Sequence, residues 1–360
     1  MTTILIIAIA FLALVALMIL HELGHFFLAR KFGVRVDEFG LGYPPRIVGK
    51  KIGETIYSLN LLPFGAFVRI YGQEDRAQGP GSFNQKPFWQ KAMIILGGVL
   101  SFWLIAIILL SFVMALGVPT IIEDEDTGYA NPKVQIVQVL PNSPAAEAGI
   151  SIGDVLVKAS APDSQVITDK VKEFQSFTSD HKGQEIQITL QRGNSIFDVS
   201  VTPRASPPAN EGPLGVALAR TAIKSFPWYL APIEGAKATW NLTVGTVEGW
   251  GIVIGRLIKG EPTGATLMGP VGIFGLFAQV TQLGVNYFLQ FFAVIAIYMA
   301  LFNILPIPVT DGGKLLFLVI EKIRKRPMAL KLEQKIEVAF FLLLISLMIW
   351  VTIKDISRLF

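Results

Sequence analysis

Two of the three histidines in this chain lie four residues apart, in the segment His21-Glu22-Leu23-Gly24-His25. On a helix, this spacing places both imidazoles on one face, where they can bind a single metal ion, and Glu22 beside them can take a proton from an attacking water molecule. Glu22 is also the only charged residue between Met1 and Ala29. Ionisable groups in such an apolar stretch are costly and mark functional sites, although a polar cluster packed between helices is the simpler alternative. The segment therefore predicts a metal site with His21 and His25 as ligands and Glu22 as general base.

A catalytic metal of this kind needs a third protein ligand, and the strongest candidate is Asp311. Like His25, Asp311 ends an apolar stretch a few residues before the next basic residue, so charge placement alone puts both side chains at similar depth on the same side of a membrane. Pro306 and Pro308 prevent a regular helix just before Asp311, and the freed backbone groups need partners inside the protein or in a wet cavity. The alternative is that Asp311 only caps the next helix.

The composition is that of a polytopic membrane protein. The chain has 360 residues, of which 52% are hydrophobic and 16% charged, and its mean hydropathy is +0.54, so it is long enough for a membrane core plus one extramembrane domain. Cysteine is absent, which excludes disulfides and thiolate ligands and leaves His, Asp and Glu to hold a metal. The net charge of +4 is modest and no basic array with interleaved aromatic residues is present, so we expect no nucleic-acid partner.

Four stretches predict transmembrane helices. Uncharged segments able to cross ~30 Å of hydrocarbon occupy residues 2–21, 92–118 and part of 262–310, and a shorter one occupies 338–353. The first segment lacks the basic start and cleavage site of a signal peptide, so we expect it to remain as a span. Within 262–310, only 285–305 predicts an uninterrupted helix, because glycines and a proline break the part from Gly264 to Gly275.

The distribution of basic residues predicts the orientation. The loop from residue 30 to 91 holds ten Lys and Arg against five Asp and Glu, and the segment from 314 to 335 holds seven against two. By the positive-inside rule both are cytoplasmic, which places the N-terminus, residues 119–281 and the C-terminus on the opposite side. The acidic run at 123–126 fits that outer location, and a solvated linker is equally compatible with it.

The segment just before the third span mixes charged, aromatic and aliphatic residues. Between residues 227 and 259 this pattern favours an amphipathic helix that lies along the outer membrane interface, followed by the glycine-rich segment. A fifth span is the alternative, and it would contradict the charge-based topology.

Several distant segments carry a resemblance to one protein family. They are His21–His25, the spacing of Asn303, Pro306 and Asp311-Gly312, the segment Met268–Ile273, and the segment Lys314–Glu321. On these residues the chain resembles the site-2 protease family of intramembrane zinc metalloproteases, in its bacterial sigma-E-regulating type. The resemblance implies Zn²⁺ held by His21, His25 and Asp311, with Glu22 as general base. It also implies that Asn303 holds the substrate backbone, for which a hydrogen bond between helices is an equal alternative.

Two positions depart from the family pattern. Thr310 stands where the family usually has leucine, and Ser101 stands where the family commonly has asparagine, in Gly97-Gly98-Val99-Leu100-Ser101. The first leaves the ligand Asp311 intact but can alter packing around it, and any contact made by the family's asparagine is in doubt.

Residues 54–71 resemble the membrane-reentrant β-hairpin of the same family. The segment reads as two strand-like halves joined around Pro63 and Gly65, after the glycine-containing turn at Gly40 and Gly42. A helical substrate must be unwound before its peptide bond can be hydrolysed, and a strand edge can hold the unwound segment. Leu61 and Gly65, together with Asn303 and Pro306, are therefore the expected substrate contacts. A soluble surface hairpin is the alternative.

Residues 119–220 predict a linker and one α+β domain that resembles a PDZ domain. The evidence is alternation from Lys133 to Val139, the segment Ser143–Asp154, strand-like residues 185–190, and Gly215-Val216 as a closing strand. Such a domain either captures an extended peptide or acts as a steric filter that keeps folded ectodomains from the site. His181 lies in a polar stretch of this region, and we expect it at the surface with no metal role.

The predicted fold is an α-helical polytopic membrane protein with about four spans, a reentrant β-hairpin and one inserted extracytoplasmic PDZ-like domain. We divide it into residues 1–118, 119–220, 221–281 and 282–360. The expected function is zinc-dependent cleavage of transmembrane segments of single-span proteins, of the anti-sigma-factor or remnant-signal-peptide type, in the lipid bilayer of the bacterial inner membrane. A catalytically silent receptor or metal-sensing scaffold is the alternative, and a metal transporter is weaker, because one site near one face offers no polar pathway across the bilayer.

Overall fold

In a computed structural model of the chain, the structure describes residues 3–129, 131–167, 169–193, 195–208, 211–263 and 269–357. Within these ranges the helices are α1 (Thr3–Lys31), α2 (Phe88–Leu116), α3 (Pro144–Glu147), α4 (Val171–Asp180), α5 (Ala231–Lys259), α6 (Pro270–Leu283), α7 (Val285–Ile304), α8 (Asp311–Arg324) and α9 (Leu330–Ser357). The strands are β1 (Val36–Ile52), β2 (Thr55–Ile70), β3 (Val118–Ile122), β4 (Lys133–Val139), β5 (Val155–Ser160), β6 (Gln165–Val166), β7 (Ile186–Arg192), β8 (Ser195–Val201) and β9 (Val216–Lys224). Gly264 and Met268, which belong to the predicted glycine-rich segment and family motif, lie outside the described residues.

Four of the described helices are long and apolar enough to cross a membrane. They are α1 from Ala8 onward, α2, α7 and α9. These helices correspond to the four predicted spans, and the polytopic membrane architecture is confirmed at this level. Two of them, α1 and α9, are much longer than predicted, because α1 continues through the His21–His25 segment and α9 begins with charged turns that interrupt its apolar pattern.

From Pro270 onward, the glycine-rich segment before α7 is helical, contrary to the prediction that its glycines and proline break it. Gly272 and Gly275 lie inside α6, and Pro270 is its first residue, where a missing N–H costs little. The carboxylate of Asp355 in α9 accepts hydrogen bonds from the N–H groups of Gly269 and Gly272 at 2.8 and 2.9 Å. This cap from another helix satisfies N–H groups at the start of α6 and offsets the low helix propensity of glycine.

Strands β1 and β2 form a separate antiparallel sheet in which each long strand bends. Residues 38–41 of β1 pair with residues 56–59 of β2 on one side and with 66–69 on the other, whereas residues 46–52 pair only with 55–60. The sequence predicts a hairpin formed by the two halves of 54–71. Instead, residues 38–41 of β1 lie between those halves, and this long-range pairing leaves two edges without a strand partner among the described residues, which we call the 46–52 edge and the 66–70 edge.

A second compact unit comprises Val113–Ala231 and Thr281–Phe288, and the remaining residues form the first unit. The second unit contains a seven-stranded sheet of order β3-β9-β4-β5-β7-β8, with β6 paired to β5. Strands and α4 contribute a common core that includes Val134, Phe174, Ile188 and Leu190. β3 pairs with the end of β9, so residues 118–122 belong to this sheet and not to a span or a linker.

The acidic run at 123–126 is an ordered part of the second unit. The Asp124 carboxylate accepts hydrogen bonds from the N–H groups of Val171 and Lys172 at 2.9 and 2.8 Å, at the start of α4. Burial raises the pKa of Asp124, but these hydrogen bonds outweigh it and hold that pKa below its usual range. The Arg220 guanidinium donates to the backbone carbonyls of Glu123 and Asp126. The run therefore includes the carboxylate that caps α4, while Glu123, Glu125 and Asp126 are exposed.

His181 is buried in the second unit, contrary to the prediction of a surface position. The side chain is packed at the end of α4, and only 8% of the residue is exposed. Its Nδ1 lies 2.8 Å from the Phe177 carbonyl oxygen, and its Nε2 lies 3.0 Å from Ser164 Oγ and 3.3 Å from Asp163 Oδ1. The bond to Phe177, followed by the contact with Asp163, raises the pKa of His181 above its ordinary value of 6.5.

Candidate metal centre

The side chains of His21, His25 and Asp311 converge on one point in the first unit. Asp311 Oδ2 lies 3.4 Å from His21 Nε2 and 3.3 Å from His25 Nε2, and the two Nε2 atoms are 3.3 Å apart. His25 and Asp311 are each 7% exposed. Three donor atoms therefore lie around a single buried position. Two of them come from successive turns of α1, and the third comes from the first residue of α8, which is far away in sequence.

The spacing of these atoms is that of a metal-ligand triangle. Nitrogen and oxygen ligands at ~2.0–2.1 Å from a tetrahedral zinc ion lie about 3.3 Å from one another. The three observed separations of 3.3–3.4 Å agree with this value. Three protein ligands is also the number that catalytic zinc sites use, whereas structural sites use four.

The hydrogen bond of His25 shows which of its nitrogen atoms faces the centre. Nδ1 lies 2.9 Å from the Ile94 carbonyl oxygen in α2, so Nδ1 carries the proton and Nε2 presents a lone pair. That lone pair faces Asp311 Oδ2, a buried acceptor that has no hydrogen-bond partner among the described residues. Two buried acceptors in contact repel each other unless a cation lies between them. The donor set therefore fits a divalent metal.

Helix α2 holds both imidazoles through its glycines. A Cβ atom on Gly24 would lie 2.2 Å from the Gly97 carbonyl oxygen, and one on Gly98 would lie 2.3 Å from His21 Cε1 and 2.4 Å from His25 Nε2. Such contacts are far inside van der Waals distance, so only glycine fits at this crossing. Gly98 is therefore a site residue that the sequence analysis did not identify. The adjacent glycines in an apolar span are the signal that could have revealed it.

The backbone before Asp311 is irregular, as the two prolines predict, and the Thr310 hydroxyl forms hydrogen bonds with its carbonyl groups. The buried Thr310 hydroxyl lies 2.8 Å from the Leu305 carbonyl oxygen and 2.9 Å from that of Ile307, and it satisfies groups that a continuous helix would have paired. A leucine at this position has no hydroxyl for these bonds. Thr310 is also the N-cap residue of α8, so the alternative that Asp311 is only a cap does not describe this helix.

Gly312 and Gly313 allow the same backbone to pack tightly against α8. A Cβ atom on Gly312 would lie 2.2 Å from the carbonyl oxygens of Ile304 and Leu305, and one on Gly313 would lie 2.1 Å from that of Ile307. These glycines bring the start of α8 close enough for Asp311 to reach the two histidines.

Glu22 lies beside the ligands and faces the β1–β2 sheet. Its carboxyl group contacts the backbone of Val68 on the 66–70 edge. A carboxylate next to the donor triangle is the arrangement that a general base for water requires. The contact with Val68 places the 66–70 edge beside the three converging side chains.

The four predicted substrate contacts occupy different environments. Asn303 is half-buried, and its Nδ2 donates to the Met299 carbonyl oxygen in its own helix at 2.9 Å. Pro306 is exposed, and Leu61 is 57% exposed at the bend of β2. Gly65 is buried at a φ of +99°, and an added Cβ would lie 2.6 Å from Met18 Cε.

Sequence comparisons agree with this geometry. The family described as Peptidase family M50 matches residues 9–347. A protein from Clostridium perfringens that is named as a zinc metalloprotease is 33% identical over 349 residues, which cover 96% of this chain and 97% of that protein. The regulator of sigma-W protease RasP of Bacillus subtilis is 28% identical over 96% of each chain. The regulator of sigma-E protease RseP of Escherichia coli is 26% identical over 96% of this chain and 97% of RseP.

Proposed function

This chain belongs to peptidase family M50, and from that membership and the donor triangle we propose that it cleaves transmembrane segments of single-span membrane proteins inside the bilayer. It is a zinc metalloprotease of the site-2 type and a multi-pass bacterial membrane protein. The observation that carries the proposal is the convergence of three metal-binding atoms, two of them from a helix that is apolar enough to cross the membrane.

The proposed zinc ligands are His21 Nε2, His25 Nε2 and one carboxylate oxygen of Asp311. Zinc, when bound there, supplies a Lewis acid that polarises the scissile carbonyl and acidifies water. Glu22 takes the proton of the attacking water and returns it to the leaving amine. The Ile94 carbonyl fixes the orientation of the His25 ring, and Phe102 stacks on His21 with the ring centroids 4.5 Å apart.

The test of catalysis is the variant Glu22→Gln, which keeps the shape of the side chain and removes the base. We expect the purified variant to bind zinc like the wild type and to lose cleavage of a single-span reporter by ~10²-fold or more. Equal turnover of the two proteins would eliminate Glu22 as the base. Zinc binding without turnover in the wild type, on any single-span reporter, would instead support a metal-sensing scaffold.

We propose that the β1–β2 sheet lies within the membrane and holds the unwound substrate. Large apolar side chains are exposed on it, and a soluble sheet of this size has no reason to expose so many. They are Leu41, Tyr43, Ile47, Val48, Ile52, Leu59, Leu61 and Leu62. Of its two free edges, the 66–70 edge is the one that Glu22 contacts, through the Val68 backbone. An extended segment added to this edge would therefore pass beside the general base.

Disulfide crosslinking shows which of the two edges contacts the substrate. The chain has no native cysteine, so every disulfide must come from an introduced residue. Leu61, at the bend leading to the 66–70 edge, is 57% exposed, and Val48, on the 46–52 edge, is 59% exposed. In a Glu22→Gln background, we expect Leu61→Cys to form a disulfide with a cysteine placed in the substrate helix, and Val48→Cys to form little. Equal crosslinking from both positions would show that the 66–70 edge does not select the substrate.

We propose that Asn303, Pro306 and Gly65 complete the substrate path and that the second unit is a PDZ-like domain outside the cytoplasm. The active site then opens toward the cytoplasmic side, as the basic loops at 30–91 and 314–335 favour. In this position the second unit would exclude substrates that still carry a folded ectodomain, or bind their extended ends. Anti-sigma factors already cut outside the membrane and remnant signal peptides both have the required form. Proteomic comparison of membrane fragments that accumulate with Glu22→Gln would identify the class.

A further inference from the structure

A basic cavity in the first unit lies apart from the metal centre. It has a volume of about 380 Å³ and is bounded by the loop after β2, the first turn of α2 and the turn between α8 and α9. Four cations line it, Arg76, Lys91, Lys325 and Arg326, against the single carboxylate of Glu321. Its excess of positive charge calls for an anionic partner.

The one carboxylate that lines this cavity already accepts hydrogen bonds from other groups of the protein. Glu321 Oε1 accepts hydrogen bonds from Arg76 Nη2 and from the Met328 N–H, each at 2.8 Å. Arg76 also binds Glu333 at 2.8 Å. Among the residues that the structure describes, Lys91, Lys325 and Arg326 form no ion pair within 4.0 Å. Three cationic groups are therefore left to bind a ligand.

An uncharged donor lies in the same wall. The Nδ2 of Asn84 is buried and has no hydrogen-bond partner within the described part of the chain. A buried amide N–H₂ group without a partner is rare and calls for an acceptor. Ammonium and guanidinium groups around one cavity are the set that binds the oxygens of a phosphate ester.

The position of the cavity, at the end of a predicted membrane span, indicates that the phosphate belongs to a lipid. Lys91 lies in the first turn of α2, a membrane-crossing candidate, and the neighbouring Trp89 is 55% exposed. Exposed tryptophan at the end of a span marks the level of the lipid headgroups, and basic pockets between helices at this level bind anionic headgroups. We propose that this cavity binds the headgroup of an anionic glycerophospholipid and that the bound lipid joins the start of α2 to the α8–α9 turn.

The test uses the full chain in lipid nanodiscs. Phosphatidylglycerol is titrated into phosphatidylcholine, and the thermal unfolding midpoint and the number of retained lipids, counted by native mass spectrometry, are recorded. For the wild type we expect a saturable rise in the midpoint and at least one retained phosphatidylglycerol. For the double variant Lys325→Gln/Arg326→Gln we expect about tenfold weaker binding, because two charge-assisted contacts are lost.

The matched control is the double variant Lys50→Gln/Lys51→Gln. It removes the same charge from another exposed basic pair, outside the cavity, and should bind phosphatidylglycerol like the wild type. Asn84→Asp, which places a carboxylate in the wall, should abolish retention of phosphatidylglycerol. Equal losses in the cavity and control variants would reduce the effect to general surface charge and overturn the proposal. Saturation by inorganic phosphate at similar concentrations would also overturn it in favour of a soluble phosphate ligand.

Discussion

At the scale of single residues, the metal centre depends on an atom that is absent, the Cβ of Gly98. In Gly98→Ala the added methyl group would lie 2.3–2.4 Å from atoms of both imidazoles, so at least one ring must turn away. We expect zinc affinity to fall by about 10–100-fold, the range seen when groups that orient a ligand are changed. Competition with a chelator of known affinity measures this loss.

The control for this substitution is Gly275→Ala in α6. An added Cβ meets no atom within 4 Å there, so zinc affinity should remain that of the wild type. If Gly98→Ala binds zinc as tightly as this control, the α2 wall does not position the ligands.

The sequence predicts the ligand-bearing residues better than the residues that support them. His21, Glu22 and His25 follow from local spacing on one helix, and Asp311 follows from its depth relative to the basic loops. The structure brings the side chains of His21, His25 and Asp311 together, and their role as metal ligands stays a prediction. Gly98 contacts two imidazoles on a helix that is distant in sequence, which no local pattern contains, so its role went unnoticed. Thr310 bonds to carbonyl groups only three and five residues before it, and it was noted only as a departure from the family.

At the scale of elements, α4 and its buried His181 make the second unit sensitive to pH. The folded-state pKa of His181 is raised, first by the Phe177 carbonyl and then by Asp163, so the protonated form stabilises the fold. This stabilisation is fully present below the unfolded-state pKa of about 6.5 and is lost as the pH rises through the higher folded-state pKa.

We therefore expect the second unit to open more readily at about pH 8 than at about pH 6, where histidine is charged. Hydrogen exchange of the β7 amides, corrected for the intrinsic exchange rate, measures this opening. His181→Gln should remove most of the pH dependence, whereas Lys182→Gln, which changes an exposed neighbour, should retain it. A pH response that is unchanged in His181→Gln would assign the effect to another group.

The elements also show why sheet pairing is harder to predict than strand content. The residues of β2 were recognised as strand-forming, but their partner was taken to be the other half of the same segment. The actual partner, β1, contains Gly40, where a Cβ would lie 2.3 Å from Phe67 Cε1, and the adjacent prolines Pro44 and Pro45. These features interrupt alternation and conceal the strand. For α6, the sequence did not reveal that the carboxylate of Asp355, near the end of α9, caps the start of the helix.

At the scale of the whole molecule, the family resemblance and the enzyme class are confirmed, because the M50 match covers most of the chain. The orientation in the membrane is a prediction that charge placement supports. Two exposed lysines, Lys182 in the second unit and Lys51 on the 46–52 edge, should lie on opposite sides.

Labelling tests this orientation in spheroplasts. A membrane-impermeant maleimide should react with Lys182→Cys in intact spheroplasts and with Lys51→Cys only after permeabilisation. The parent chain has no cysteine, so it provides a background without signal. Reaction of Lys51→Cys from outside would reverse the proposed topology and place the metal centre toward the other face.

The order of the ligands along the chain has a consequence for biosynthesis. The two imidazoles arrive with the first helix, and α2 packs against them at once, but the carboxylate arrives only after the second unit and α7 have been made. A nascent chain still on the ribosome therefore holds an incomplete set of ligands. With this set of ligands, hydrolytic activity can begin only after the second unit, which precedes Asp311 in the chain, has been synthesised.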